Sequence, residues 1–471
     1  MSEPRLGTAD RPLRVAIIGS GPSGFYAAEA LQKREDVVVQ VDMFDRLPTP
    51  FGLVRGGVAP DHQKIKSVTK AYDRIAEHPE FRFYGNVEFG RDLVHDDVMA
   101  YFHAVVYAVG SRGDRRLGIR NDHLPGSHGA AEFVGWYNGH PDFRRLSFDL
   151  SARTAAVIGN GNVAMDVVRI LGSSPKELRA TDMADYAVDR LSRSAIEEIY
   201  ILGRRGPAQA AFTVKELREL GQLERVDVIV DPADLELDEA TRSWMAANPD
   251  RARDKVLETL AEYAATPPQG RPRRIIFRFR VSPVEIFGEE RVEGLRLVRN
   301  VLQAADDESL RARPTDEHES LGAELVFRAI GYRGTALPGV AFDENAGVIP
   351  NAEGRVLDDG EVRVGEYCVG WIKRGPSGVI GTNKPDAAET VARLFEDYDS
   401  GLLERADTIP SRAVLEQFLA ERSDIVSYRQ WQILDELERR RGVEAGDRPR
   451  EKFVSIEQML GALAEHSSDE R

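Results

Sequence analysis

Residues 14–24, RVAIIGSGPSG, and residues 155–164, AAVIGNGNVA, read alike: an apolar strand, a glycine turn and the start of a helix. After the first turn, Ala27, Ala28 and Leu31 share one side of a helix, and VVVQVDMFD (37–45) reads as the next strand. That makes a βαβ unit of about 30 residues. After the second, Val163, Val167, Ile170 and Leu171 share a helical face, a polar, helix-rich stretch covers 172–194, and EEIYILG (197–203) is the next strand. Two such units predict an α/β fold with two Rossmann-like dinucleotide-binding domains.

Two further stretches, HAVVYAVGSRGD (103–114) and AELVFRAIGYRG (323–334), are apolar strands that end in glycine and leave through polar residues. They bracket the second turn. The simplest layout inserts one domain, 111–331, into another divided between 1–110 and 332–471, the last part carrying a C-terminal extension. Two domains in tandem with a C-terminal tail is the plainer alternative.

The two turns differ in chemistry. In GSGPSG (19–24), Gly19 permits the tight turn, Gly21 lets the backbone approach a pyrophosphate, and Gly24 allows close helix–strand packing. The phosphates would sit at the helix N-terminus, where free N–H groups and the helix dipole favour an anion. Asp45 closes the next strand, 26 residues after Gly19, and can accept from ribose hydroxyls; Asp42, within the strand, is its rival. In GNGNVA (159–164) an alanine takes the third glycine's place, and the following strand closes on Arg204 and Arg205 instead of an acid. Two guanidiniums suit a 2′-phosphate, which a carboxylate would repel. The first site therefore suits FAD and the second NADP(H). The spacing from Gly159 to Arg204 is 45 residues, and the polar insert at 172–194 accounts for it.

Composition narrows the chemistry further. The 471 residues are 42% hydrophobic and 30% charged, as expected of a globular protein with room for two or three domains. No apolar run approaches the roughly 20 residues of a membrane helix, and the N-terminal stretch lacks an apolar signal core, so a cytoplasmic protein is expected. The net charge of −15 argues against a broad nucleic-acid surface. Cys368 is the one cysteine, which excludes an intramolecular disulfide, a CxxC pair and a cysteine-bound cluster. The nine histidines show no metal-ligand spacing, and no metal is expected. Redox chemistry would come from organic cofactors.

Six stretches carry a resemblance: GSGPSGFYAAEAL, PTPFGLVRGGVAPDHQKIK, FRFYGNVEFGRD, VIGNGNVAMDVVRIL, GRRGPAQAAFTVKELREL and GWIKRGPSGVIGTNK. Together they resemble the adrenodoxin-reductase type of ferredoxin–NADP+ reductase, including its actinobacterial members. The resemblance implies the inserted layout, FAD and NADP(H) as cofactors, a ferredoxin-type iron–sulfur protein as electron partner, and a monomer. It implies FAD contacts at Gly19, Gly21, Ser23, Gly24, Asp45, Leu53, Phe89, Trp371, Gly378, Val379 and Ile380. Ser23 stands where the family commonly has alanine, and Asp45 where it has glutamate. It implies NADP contacts at Asn160, Gly161, Asn162, Val163, Arg204, Arg205, Glu216 and Gly378, and an ionisable pair, His62 and Glu219, beside the reaction centre. After Gly378, NKPDAAETVARLF (383–395) reads as a helix burying Ala387, Val391, Leu394 and Phe395.

The activity implied is hydride transfer between NADP(H) and FAD, followed by single-electron exchange with the iron–sulfur protein. A diaphorase acting on quinones is the rival enzyme, and an NADPH-sensing flavoprotein acting through partner binding is the rival of another class. An acidic partner needs a locally positive face on this acidic chain. RGDRRLGIR (112–120) and RPRRIIFRFR (271–280) are the candidate stretches.

Overall fold

The computed structural model describes residues 5–306, 309–405, 409–446 and 448–469, and the side chains of all but the last two of these. The chain forms two compact units, one of Met1–Gly113 with Tyr332–Arg471 and one of Asp114–Gly331. Each is built on its own sheet. Among the described residues no helix is long and apolar enough to cross a membrane.

The first unit centres on a seven-stranded sheet in the order Asn351–Ala352, Arg355–Asp358, Glu361–Cys368, Ala104–Tyr107, Leu13–Ile18, Val39–Asp45, Phe81–Gly85. The strand Leu13–Ile18 runs parallel to both neighbours, and all six of its residues are buried. That is why it reads as a continuous apolar run rather than an alternating one. The helix Pro22–Gln32 buries Ala27, Ala28 and Leu31. The helix Asn383–Asp399 buries Ala387, Val391, Leu394 and Phe395, the four residues the periodicity selects.

The second unit holds a six-stranded parallel sheet in the order Ser127–Gly129, Leu325–Arg328, Thr154–Ile158, Glu198–Gly203, Arg273–Phe279, Val226–Val230. Its helix Asn162–Gly172 buries Val167, Ile170 and Leu171, with Val163 half-buried at the first turn. The helices Pro175–Arg179 and Asp185–Ser192 occupy the insert that lengthens the spacing to Arg204. A separate antiparallel sheet, Val281–Phe287, Gly294–Ala304 and Leu310–Gly322, follows the parallel one.

Two buried carboxylates tie the C-terminal extension into the first unit. Asp42, inside the strand Val39–Asp45, is fully buried and pairs with Arg14 at 3.0 Å and with Arg412 at 2.8 Å. Arg412 opens the helix Arg412–Ala420. Asp42 is thus paired with two arginines inside the packed interior. Glu438, on the helix Tyr428–Glu444, is also fully buried. Arg55 donates to both its oxygens, at 2.8 and 2.5 Å, while Arg450 and the Phe453 N–H add bonds of 3.2 and 2.9 Å. Arg55 also lies 5.1 Å over Trp431, whose ring meets Phe51 edge-on at 5.7 Å.

Burial opposes ionisation of Glu438, but the charges and hydrogen bonds of Arg55 and Arg450 outweigh it and hold the carboxyl below the ordinary 4.5. Its contribution is therefore fully present at neutral pH and fades as pH falls below that value. We expect Glu438→Gln to cost about 3 kcal/mol at pH 7, because two arginines lose their buried counter-charge. In thermal melts, the gap between the parent chain and the variant should narrow steadily below pH 4.5. A gap independent of pH would show that the charge is irrelevant.

Candidate functional site

Each parallel sheet presents one strand–turn–helix junction of the same design. Gly19 N–H donates to Phe44 O at 2.8 Å, and Gly159 N–H to Leu202 O at 2.9 Å, so each turn is fastened to the end of the following strand. The helices that follow begin at Gly21 and Gly161, and neither has a side-chain cap. Their first N–H groups are thus left for another acceptor, and the dipole adds partial positive charge there. A Cβ placed on Gly21 or Gly161 would meet nothing within 4 Å, so the space beside both turns is open. Uncapped N-termini facing open space fit the phosphates of a dinucleotide.

Gly24 differs from its counterpart Ala164. A Cβ on Gly24 would lie 2.2 Å from the Gly19 carbonyl oxygen, a contact no side chain tolerates. Ala164 keeps its Cβ and is completely buried. The first turn is therefore packed more tightly on its helix than the second.

Around the first turn the predicted residues converge. Asp45 Oδ2 accepts from the Ser20 N–H at 3.1 Å and the Ser20 hydroxyl at 2.6 Å, and Oδ1 accepts from Leu47 N–H at 3.0 Å. The carboxylate is held at the strand's end by its own neighbours. It borders a cavity of about 440 Å³ lined also by Gly19, Arg46, Phe89, Arg91 and Arg112. Phe89 is half-buried and meets Tyr107 edge-on at 5.9 Å. The loop before Leu53 lies on the turn itself: Phe51 N–H donates to Ser20 O at 2.9 Å. Phe51 does so in the left-handed region, at φ +82°. A bulky residue there costs on the order of 1–3 kcal/mol, and the aromatic packing of Phe51 on Phe25, Tyr72 and Trp431 offsets it.

The segment Gly370–Thr382 completes this side. Gly370 packs against Ser23, where a Cβ on the glycine would come within 2.6 Å of the serine Cβ. Trp371 is half-buried and stacks on Tyr332 at 5.5 Å, and its indole N–H donates to Ser377 O at 3.2 Å. Gly378 is exposed at φ +82°, a conformation natural to glycine, and a Cβ there would strike Thr382 Oγ1 at 2.3 Å. Val379 is 63% exposed, and Ile380 is half-buried.

Two residues, Arg374 in this segment and Asp386 in the first turn of the helix that follows it, carry a role that motif reading missed. Arg374 donates to Ser377 O, to Thr382 Oγ1 at 3.3 Å and to Asn383 Oδ1 at 3.0 Å. Asp386 accepts from Gly370 N–H at 2.6 Å and pairs with Lys373 at 3.3 Å. Together they shape the loop that holds Trp371 and Gly378. The run KRG and the acid in the first turn of the next helix were the available signals.

The second turn gathers its own set. Asn160 O accepts from Ala211 and Phe212 N–H at 2.9 and 3.1 Å, and Asn162 Oδ1 accepts from Thr213 N–H at 2.9 Å. The Asn160 Nδ2 is buried and makes no hydrogen bond. Arg204 is exposed and Arg205 half-buried; among the described residues neither pairs with a carboxylate. Burial, and then the charge of Arg204, press the Arg205 guanidinium below its usual value. A dianion between them would relieve that strain. Glu216, by contrast, is buried and bound to Arg169 at 3.1 Å. Glu219 also reaches Arg169, at 3.3 Å, and Lys215 at 3.4 Å. Both acids are fastened by cations of their own unit. His62 belongs to the other unit, where it is buried at the start of the short helix Gln63–Lys66.

The positive stretch 271–280 requires a correction. Arg273 is buried and donates to Leu171 O and Ser173 O at 2.6 and 3.0 Å, Arg274 pairs with Glu198, and Arg278 pairs with Glu319 at 2.5 Å. Arg271 caps Leu223 O at 2.7 Å, and Arg280 caps Glu236 O at 3.0 Å. The strand Arg273–Phe279 lies inside the sheet, so Arg273 turns inward, while Arg274 meets an acid on the neighbouring strand Glu198–Gly203 and Arg278 one on Leu310–Gly322 of the antiparallel sheet. No free positive face remains along it. Arg112, Arg115, Arg116 and Arg120 are exposed, with Arg120 3.3 Å from Glu285.

Comparison with known proteins is consistent with this geometry. The model of the pyridine nucleotide-disulphide oxidoreductase family matches residues 13–203. The chain is 47% identical over 459 residues to NADPH-ferredoxin reductase FprA of Mycobacterium tuberculosis, covering 96% of this chain and 99% of that one. It is 39% identical over 471 residues to the mitochondrial NADPH:adrenodoxin oxidoreductase of Arabidopsis thaliana, covering 97% and 96%. The solved structure of Mycobacterium tuberculosis FprA in complex with NADPH matches with a TM-score of 0.91 at 45% identity, covering 96% of this chain and all of that one.

The contrast between Gly24 and Ala164 generates a test. Ala164→Gly should cost about 1 kcal/mol, the ordinary price of glycine in a helix. Gly24→Ala should cost more, since the backbone must shift, and should lower retained flavin as well. Thermal melts and the flavin absorbance of the purified variants measure both. Equal losses in the two variants would contradict the packing difference.

Proposed function

The chain belongs to the NADPH–ferredoxin reductase family of adrenodoxin-reductase type, within the pyridine nucleotide-disulphide oxidoreductases, and from that premise we propose how its residues divide the work. It is an FAD-dependent oxidoreductase that transfers hydride between NADP(H) and FAD and single electrons between FAD and a ferredoxin-type iron–sulfur protein. When bound, the flavin supplies the step between two-electron and one-electron transfer, which no side chain can perform. The chain's part is to bind, orient and shield.

The first unit holds FAD. The N-terminus of the helix Pro22–Gln32 takes the pyrophosphate, and Asp45, held by Ser20 and Leu47, receives a ribose. Gly19, Gly21, Ser23 and Gly24 form the turn, Phe89 borders the adenosine cavity, and Leu53, Trp371, Gly378, Val379 and Ile380 hold the ring system. Gly378 also leaves room for the nicotinamide. The second unit, 114–331, holds NADP(H) with Asn160, Gly161, Asn162 and Val163 at the phosphates and Arg204 and Arg205 on the 2′-phosphate. Glu216 acts through its ion pair with Arg169, which keeps the helix Val214–Leu220 against the nucleotide turn.

One observation carries this division. Two junctions of the same backbone design end in opposite charge, a carboxylate at Asp45 and, at 204–205, an arginine couple that pairs with no carboxylate among the described residues. His62 and Glu219 are proposed to balance protons during flavin reduction. The same reading takes the protein as a cytoplasmic monomer that binds no nucleic acid, in keeping with its net charge of −15.

Two outcomes test this reading. Arg204→Ala with Arg205→Ala should weaken NADPH binding about 10- to 100-fold and affect NADH at least tenfold less, since charge-assisted bonds to one phosphate are lost. Equal losses would make the pair structural. His62→Ala and Glu219→Ala should retain FAD and slow its reduction in stopped-flow single turnovers. Rates that match the parent chain from pH 6 to 9 would remove both residues from the reaction.

A further inference from the structure

The loop that carries Arg204 and Arg205 holds two like charges side by side, so its backbone needs an external anchor. Two consecutive carbonyls of this loop have one. Asn300 Nδ2 donates to Arg204 O at 2.9 Å, and Arg280 N–H donates to Arg205 O at 3.0 Å. The two anchors are themselves joined, since Asn300 N–H donates to Arg280 O at 2.7 Å.

The surrounding structure is shaped to present this pair. Asn300 lies on the strand Gly294–Ala304 just past a break in register with Leu310–Gly322, between Val298 and Asn300. Such a bulge re-aims the side chain that follows it. Ser282 Oγ accepts the second amide hydrogen bond at 2.8 Å, which fixes the amide rotamer, and Asn300 is buried. Arg280 sits in the left-handed region at φ +56°, the geometry that turns the parallel strand Arg273–Phe279 into the antiparallel strand Val281–Phe287. Its guanidinium donates to Glu236 O and Ala233 O, both at 3.0 Å, which offsets the cost of that backbone. Asp234 Oδ2 accepts from Phe279 N–H at 3.1 Å and Oδ1 from Arg299 at 3.0 Å, closing the network from the other side.

We propose that Asn300, with the Arg280 backbone, is a positioning residue for 2′-phosphate recognition: it pins the Arg204–Arg205 loop so that both guanidiniums converge on one phosphate. The proposal rests on the assignment of Arg204 and Arg205 to that phosphate. Asn300 touches no nucleotide itself. Its contribution is to orient the loop before binding, so its loss falls on the phosphorylated nucleotide and not on the adenosine it shares with the unphosphorylated one.

The test is calorimetric titration of the FAD-loaded protein with adenosine 2′,5′-bisphosphate and with adenosine 5′-monophosphate. Asn300→Ala should weaken the bisphosphate roughly fivefold, the worth of one neutral hydrogen bond. The monophosphate should change by less than about twofold. In steady state, kcat/KM for NADPH relative to NADH should fall by the same factor. Asn300→Ser, whose hydroxyl is too short to replace the amide at Arg204 O but keeps a polar group at the position, should give the same pattern and decides the matter if the alanine variant does not fold. A loss shared equally by both ligands, or none in either, overturns the proposal. Arg204→Ala and Arg205→Ala are titrated alongside. If they bind the bisphosphate as the parent chain does, the phosphate assignment falls and the proposal with it. If they lose it and the Asn300 variants do not, the proposal alone falls.

Discussion

A parallel strand that turns into a helix leaves the helix's first N–H groups without partners, and burying such groups unpaired costs free energy. This chain meets that constraint twice and leaves both helix N-termini without side-chain caps. Much else follows from keeping them open. The turn must be tight, so each first glycine is bonded to the end of the next strand. The residue closing that strand then stands beside the open site and sets its charge. The two sheets are alternative answers to one geometric problem, differing in what stands at that position.

Holding a charge at a strand's end takes different means for the two signs. Asp45 is a short side chain that Ser20 and Leu47 fasten locally, by three hydrogen bonds from the adjacent turn. Arg204 and Arg205 are long, mutually repelling and, among the described residues, not paired with acids, so local bonds cannot fasten them. Their loop is held by its carbonyls from Arg280 and Asn300, on elements that follow 75 or more positions later in the chain. The antiparallel sheet 281–322, which has no counterpart among the described residues of the first unit, carries Asn300 to the loop of Arg204.

The first unit needs a different reinforcement. The loop 48–57 lies on the glycine turn with Phe51 in an unfavourable conformation. Arg55 and Phe51 are held by Glu438 and Trp431 of the C-terminal extension. Buried carboxylates with two arginine partners, Asp42 and Glu438, are the joints by which that extension is fixed. Such pairs add little net stability compared with apolar packing, but removing one partner strands a buried charge.

The sequence by itself determined the α/β class, the two dinucleotide turns and the charge at each strand end. It also predicted the buried faces of the helices at 22–32 and 383–399, because these depend on neighbours within a turn or two of chain. Only the tertiary structure decided which charged residues were free to act. Asp42 and Asp45 lie three residues apart in VDMFD, yet one is consumed by Arg14 and Arg412 and the other borders a cavity. Arg273 and Arg274 look like Arg204 and Arg205, yet the sheet turns one inward and sets Glu198 against the other. Glu438 and Asn300 carried no motif, since their partners at Arg55 and Arg204 are brought to them by strand order and helix packing. A charge's role depends on what faces it across the fold, and that pairing is long-range in sequence and short-range only in space.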